Sequence, residues 1–179
     1  MNIEIEKKYR LSKTERDRVE ERLRDVDAKF CGEEFEENTL YTGGIIDIKN
    51  CVLRLRRVGG KAILTFKERF PSSSAIKKQR EEESAVDDAN AIARILDALG
   101  YRASVIYEKR RATWRVANTE VVVDELPFGL FMEIEGDEQA ILNAEELLGL
   151  GDLKAEMATY PQLAAKHGKK AGEMIEARF

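Results

Sequence analysis

Hydrophobic and polar positions alternate along seven stretches of the chain, residues 3–8, 51–58, 61–68, 77–86, 105–116, 120–126 and 130–135. A period of two predicts strands, because successive side chains of an extended backbone point to opposite faces. Other stretches carry the helical period. Ser12-Lys13-Thr14-Glu15 reads as a capping box, and Val19, Leu23 and Val26 follow at helical spacing, which predicts an amphipathic helix over residues 12–28. Asp87-Asp88 opens a second helix through Ile92, Ile95, Leu96 and Leu99, which Gly100 stops. A third begins near Asp137, carries Ile141, Ala144, Leu147 and Leu148, and ends at Gly149; a short helix over 162–166 follows Pro161. Val58-Gly59-Gly60-Lys61 and Pro127-Phe128-Gly129 have the chemistry of tight turns, so neighbouring strands are expected to be antiparallel. Residues 71–74 are small and polar and read as a loop acting as a flap beside the sheet.

The polar faces of these strands are unusual in sign. Ile3 and Ile5 separate from Glu4, Glu6 and Lys8, Leu53 and Leu55 from Arg54 and Arg56, and Met132 and Ile134 from Glu133 and Glu135. Solvated strand faces ordinarily mix charges, whereas here like charges recur two residues apart on one face. Clustered carboxylates repel unless protonated or bridged by a cation, and clustered guanidinium and ammonium groups repel unless an anion lies among them. A metal-bound polyphosphate satisfies both. On this reasoning, removing Arg54 or Arg56 relieves repulsion and leaves ligand-free stability unchanged or raised.

Composition narrows the field. The chain has 179 residues, 43% hydrophobic and 36% charged, which suits one folded domain with a highly polar surface or interior. A net charge of −4 argues against general nucleic-acid binding, which needs a basic face. No run approaches the roughly 18 apolar residues of a membrane span, and the start has no signal-peptide apolar region, so a cytoplasmic protein without membrane contact is expected. Cys31 and Cys51 form no metal or redox motif, and His167 is the only histidine, which disfavours histidine-based acid–base chemistry. There is no glycine-rich phosphate loop, so any phosphate site must be made of side chains.

Glu4-Ile5-Glu6-Lys7-Lys8 resembles the E-x-E-x-K signature of the CYTH superfamily, which includes class IV adenylate cyclases and thiamine and inorganic triphosphatases. The resemblance continues in order through Asn38-Thr39-Leu40-Tyr41, Leu53-Arg54-Leu55-Arg56, Leu64-Thr65-Phe66-Lys67, Arg80-Glu81-Glu82, Glu108-Lys109-Arg110-Arg111, Val123-Asp124 and Glu133-Ile134-Glu135. Thr159-Tyr160 with Leu163 is similar to the family's closing segment. The resemblance implies an α+β fold, an eight-stranded antiparallel β tunnel with helices packed outside and charged residues in the lumen. It implies one domain over residues 1–165, leaving 166–179 as a tail, helical or flexible.

By motif position, the resemblance makes Glu4, Glu6, Glu133, Glu135 and Asp124 metal-site carboxylates. Lys8, Arg54, Arg56, Lys67, Arg80, Lys109 and Arg111 become phosphate contacts, with Glu4, Glu6, Lys8, Glu133 and Glu135 the catalytic set. Glu82, Asp124 and Tyr41 are further lumen residues, although the run Glu81-Glu82-Glu83 leaves open which of them faces inward. Thr42-Gly43-Gly44 departs from the family's frequent Asp after the aromatic, and Ser84 stands where an acidic residue often follows. Hard carboxylate ligands suit Mg²⁺ or Mn²⁺. The resemblance thus implies a metal-dependent enzyme acting on tripolyphosphate, a nucleoside triphosphate or thiamine triphosphate. Hydrolysis by water is the preferred reading, ahead of cyclisation of ATP to cyclic AMP and pyrophosphate, and of a non-catalytic polyphosphate or nucleotide sensor.

Overall fold

The computed structural model describes residues 2–44, 46, 51–71 and 74–179. In chain order the elements are β1 (Asn2–Leu11), α1 (Lys13–Asp25), β2 (Lys29–Gly43), β3 (Cys51–Val58), β4 (Lys61–Arg69), β5 (Ile76–Val86) and α2 (Ala89–Ala98). They continue with β6 (Tyr101–Val116), β7 (Thr119–Leu126), β8 (Gly129–Glu135), α3 (Glu138–Leu148), α4 (Tyr160–His167), β9 (Lys169–Ala171) and β10 (Met174–Ala177). The first eight strands run in the spatial order β2-β3-β4-β5-β1-β8-β7-β6, and β6 pairs back onto β2. All eight pairings are antiparallel, so the sheet closes into a barrel. This is the expected α+β fold with its eight-stranded antiparallel tunnel, and closure satisfies the ladder edges that an open sheet would expose.

Alternation decides which side of the wall each residue faces. Tyr9, Val121, Val123, Met132 and Ile134 point outward, where Val19 and Leu23 of α1 and Ile141, Ala144 and Leu148 of α3 cover them. Under α2, Tyr41, Leu53, Leu55 and Ala62 meet Leu96. Burying each Leu or Ile in this way contributes about 1.5–3 kcal/mol. The helices start where the sequence places their caps. Ser12 and Glu15 exchange hydrogen bonds with each other's backbone N–H groups, Asp88 and Asp137 cap α2 and α3, and Gly149 takes the left-handed conformation (φ 66°) that ends α3.

Two elements depart from the expectation. β2 is 15 residues long, with an extra residue, Cys31, in its register against β6, and its stretch 33–38 is polar at every position but Phe35, which leaves no alternation to reveal it. Residues 166–179, expected to be helical or flexible, finish α4 and then form the β9–β10 hairpin. β7 covers β6 only along Arg110–Val116, and β10 lies parallel to β6 on the remaining edge, with Ile175 opposite Val105. Of the loop expected to act as a flap, Ser72 and Ser73 lie outside the described residues. Among the described residues, no helix is long and apolar enough to cross a membrane.

One end of the barrel is covered. Ala155 bridges to Tyr9, the Glu156 N–H donates to the Lys8 carbonyl at 2.8 Å, and the chain then enters α4. Tyr160, Leu163 and Ala164 of α4 pack against Leu40, Tyr107, Leu126 and Phe131 of the barrel, and Ala177 of β10 joins them.

Candidate active site

The inward positions enclose a cavity of about 230 Å³. Its acidic part follows from strand register. Glu6 on β1 stands opposite Glu135 on β8, and Glu4 lies one pleat earlier on the same face of β1. Carboxylate oxygens of Glu4, Glu6 and Glu135 fall within 4.8 Å of one another. Burial, with Glu133 and Glu4 nearby, raises the Glu6 carboxyl above its ordinary range. Burial and the surrounding Glu4, Glu133 and Glu6 push Glu135 up to about 7, while Arg111 pulls the other way. Glu4 goes down despite its burial, because the Lys67 ammonium and the Gln79 amide each donate to it at 2.7 Å. Burial and the neighbouring Glu4 push Glu81 up to about 8, with its oxygen 3.0 Å from Lys67.

The basic part is laced with carboxylates of the protein itself. Arg111 donates to both oxygens of Asp124, at 2.7 and 2.6 Å, and to Glu133 at 2.8 Å. Lys109 lies 3.4 Å from Glu36 and 3.6 Å from Asp124. Arg56 reaches Glu36 at 3.5 Å and Glu83 at 3.0 Å, and Arg54 reaches Glu83 at 3.3 Å. Burial opposes ionisation of Glu36, yet Lys109, Arg111 and Arg56 hold it down to about 2. Lys8 pairs with Glu133 at 3.1 Å, and its ammonium sits 3.8 Å from the centre of the Tyr160 ring. The Tyr160 hydroxyl donates to Asp124 at 2.7 Å.

Of the residues singled out by sequence, Glu4, Glu6, Lys8, Arg54, Arg56, Lys67, Lys109, Arg111, Glu133 and Glu135 all line this one cavity. The carboxylates divide, however. Glu4, Glu6 and Glu135 form the cluster open to a cation, whereas Glu133 is tied to Lys8 and Arg111, and the fully buried Asp124 to Arg111, Lys109 and Tyr160.

Three placements are corrected. Arg80 and Glu82 face the outside of β5, where they pair with each other at 3.0 Å. Arg80 stands opposite Ile3, while Gln79, Glu81 and Glu83 turn inward beside Glu4. Tyr41 lies outside the wall beneath α2 rather than in the lumen, because ordinary alternation turns it away from the inward Leu40 and it pairs with the outward Leu53.

Several lumen residues were not anticipated. Glu36 belongs to the unrecognised strand β2; its place in Glu33-Glu34-Phe35-Glu36 offers no readable alternation. Gln79, Arg69 and Tyr107 also line the cavity, and of the choice left open among Glu81, Glu82 and Glu83 it is Glu81 and Glu83 that do. The one available signal was positional: β5 must pair with β1, and pairing Ile3 and Ile5 with outward residues sets its parity.

Fold and lumen together define a closed β-tunnel protein with an enclosed ionic site in which a carboxylate cluster faces a wall of cations. The sequence profile of the CYTH domain matches residues 2–153, and the chain belongs to that family. It is 28% identical over 137 residues to a protein of Methanocaldococcus jannaschii named "Putative adenylate cyclase MJ0240", covering 74% of this chain and 76% of the relative. Among solved structures, the PH1012 protein of Pyrococcus horikoshii superposes with a TM-score of 0.77 at 23% identity, over 88% of this chain and 96% of the other. The Hippeastrum protein HpAC1, an adenylyl cyclase by name for which a dominant triphosphatase activity is described, superposes with a TM-score of 0.71 at 18% identity, over 97% and 99% of the chains. At these identities the two superpositions speak for the fold.

Proposed function

We propose that the protein is a divalent-metal-dependent hydrolase that cleaves a phosphoanhydride bond of a triphosphate. The observation that carries this reading is the opposition, within one cavity, of the Glu4–Glu6–Glu135 cluster to Arg54, Arg56, Lys67, Lys109 and Arg111. The donor set fits a hard cation, since all three ligands are carboxylates and their crowding raises Glu6 and Glu135, a strain that Mg²⁺ or Mn²⁺ would relieve. When bound, such an ion would supply Lewis-acid stabilisation to phosphate oxygens and acidify water.

The chain's own groups account for the rest. Arg54, Arg56, Lys67, Lys109 and Arg111 hold phosphate oxygens and neutralise the charge that grows on the leaving phosphate. Among the described residues, Arg54 Nε and Arg56 Nε are buried donors without a hydrogen-bond partner, so the basic wall retains hydrogen bonds to give. Asp124, held by Tyr160, fixes the plane of the Arg111 fork. Glu36 and Glu83 orient Arg56 in the same manner.

The cavity, at about 230 Å³, is smaller than the roughly 300–1,000 Å³ typical of sites that enclose a drug-sized ligand. That favours a chain of phosphates over a whole nucleotide as the enclosed group. A second reading, cyclisation of ATP, draws on the name of the M. jannaschii relative and on Leu40, Val52, Tyr107 and Pro161, which give the cavity an apolar side. Tripolyphosphate separates the two, because it has no ribose hydroxyl with which to cyclise. With Mg²⁺ or Mn²⁺ the hydrolase releases orthophosphate from it, and chelation abolishes the release. Inert tripolyphosphate, with ATP giving cyclic AMP and pyrophosphate, would replace this reading by the cyclase.

A further inference from the structure

Seven Lys and Arg side chains line the cavity, and six of them have a carboxylate oxygen within 4.0 Å. Arg69 is the exception: it has neither an ion pair nor a side-chain hydrogen bond among the described residues. The charge of Glu6 offsets the burial of Arg69 only in part, and a partly desolvated guanidinium without a hydrogen-bonded partner favours an anion that comes to it. Its position narrows which part of an anion that is. Arg69 stands opposite Gln79, whose amide holds Glu4. One pleat along β5, Lys77 lies opposite Glu6, 3.9 Å from its carboxylate, and donates to the Glu156 carbonyl at 3.4 Å. Arg69 and Lys77 thus flank the carboxylate cluster on its β4–β5 side. They also sit at the covered end of the barrel, where Lys8 donates to the Ala158 carbonyl at 3.4 Å and α4 closes the space with Tyr160 and Leu163. Among the described residues, the segment running into α4 lies across this end of the cavity.

Resting on the triphosphate reading above, we propose that Arg69, with Lys77 behind it, is the subsite for an unsubstituted terminal phosphoryl group. The site therefore accepts polyphosphates with one free end and rejects those capped by organic groups at both ends. A terminal phosphoryl group has an ionisable oxygen that an internal one lacks, and the planar guanidinium can grip two of its oxygens at once. Organic substituents are left to the opposite end of the barrel.

Two ligands of equal phosphate count test this by calorimetry in saturating Mg²⁺: adenosine β,γ-imidotriphosphate, which has a free terminal phosphoryl group, and diadenosine triphosphate, which has none. The parent protein is expected to bind the first at least about tenfold more tightly. Arg69→Gln should weaken the first by about tenfold and leave the second unchanged, with Arg69→Lys recovering part of the loss. Arg18→Gln, on the exposed face of α1, removes the same charge and should change neither. Equal binding of both ligands by the parent, or an Arg69→Gln variant indistinguishable from Arg18→Gln, overturns the subsite while the triphosphate reading stands. If the parent binds neither ligand, nor tripolyphosphate, the triphosphate reading fails and the subsite falls with it.

Discussion

Glu36 shows how far a buried charge depends on its neighbours. Its side chain is 1% exposed, and Arg56 and Lys109 lie 3.5 and 3.4 Å from it. From sequence, Arg54 and Arg56 looked like mutually repelling cations whose removal would cost nothing. The structure reverses that for Arg56, because it neutralises a carboxylate that has no access to water. Arg56→Ala leaves Glu36 to Lys109, the more distant Arg111 and the Asn38 amide, and removing one partner of a buried pair is destabilising even where the pair itself contributes little. The expected loss is about 1–3 kcal/mol, smaller than for a fully isolated charge because Lys109 remains. In a protein of this size that lowers the melting temperature by roughly 2–4 °C per kcal/mol. An Arg56→Ala variant melting at or above the parent temperature without ligand would return Arg56 to the role of a strained cation awaiting an anion. Glu36→Gln in the Arg56→Ala background should restore much of the loss, since the uncompensated charge is then gone.

Strands and helices differ in how openly their sequences declare them. The capped helices and most strands were legible because each has one face covered by apolar neighbours: Leu53 and Leu55 under α2, Met132 and Ile134 under α1 and α3. β5 was legible as a strand but not in its parity. Its outer face packs under the helix-covered clusters only at its ends, through Ile76 and Val86; between them Lys78, Arg80 and Glu82 face outward while Gln79, Glu81 and Glu83 face the lumen, and both faces are polar. Binary patterning has nothing to separate there. β2 was missed because residues 33–38 are polar at every position but Phe35, and with it went Glu36.

The α4 segment was legible as a short helix after Pro161, and the structure starts it earlier, with a Thr159–Gln162 capping box, but its place inside the barrel end was not legible. That place gives Tyr160 a measurable role, since its hydroxyl joins α4 to Asp124 and so to Arg111. Tyr160→Phe keeps the ring against Lys8 and deletes that one bond. It should cost about 1–3 kcal/mol, as expected for a buried bond to a charged acceptor, and should raise KM more than it lowers kcat. Unchanged stability and KM would mean that Arg111 and Asp124 hold their geometry without the helix.

At the scale of the whole molecule, the lumen sets opposing pH dependences, and their sum has a definite sign. Glu135, at about 7, and Glu81, at about 8, are raised above the ordinary carboxylate value, mainly by burial and by like charges nearby. A raised carboxyl contributes stability below its unfolded value of about 4.5 and loses it as pH rises through the folded value. Glu36, at about 2, is depressed, so its contribution is present above about 4.5 and is lost only in strong acid. Lys77, brought down to about 8 by burial and by Lys8, begins to act in the opposite sense above pH 8, which sets the upper limit of a clean window.

Between pH 5.5 and 8 the ligand-free protein should therefore become less stable. Glu135 alone would account for roughly 1–2 kcal/mol once water in the cavity is allowed for. Adding Mg²⁺ should oppose the decline, because a cation in the Glu4–Glu6–Glu135 cluster takes the place of the protons, and its stabilising effect should be larger at pH 8 than at pH 5.5. Glu135→Gln removes one titrating group without changing shape much, so its melting temperature should fall less steeply over the same window and respond less to Mg²⁺. Melting curves of parent and variant at the two pH values, with EDTA or Mg²⁺, measure all of this without any assumption about the reaction. Parallel declines in the two proteins would remove Glu135 as the source of the pH dependence. An equal response of both to Mg²⁺ would count against the carboxylate cluster as the cation site.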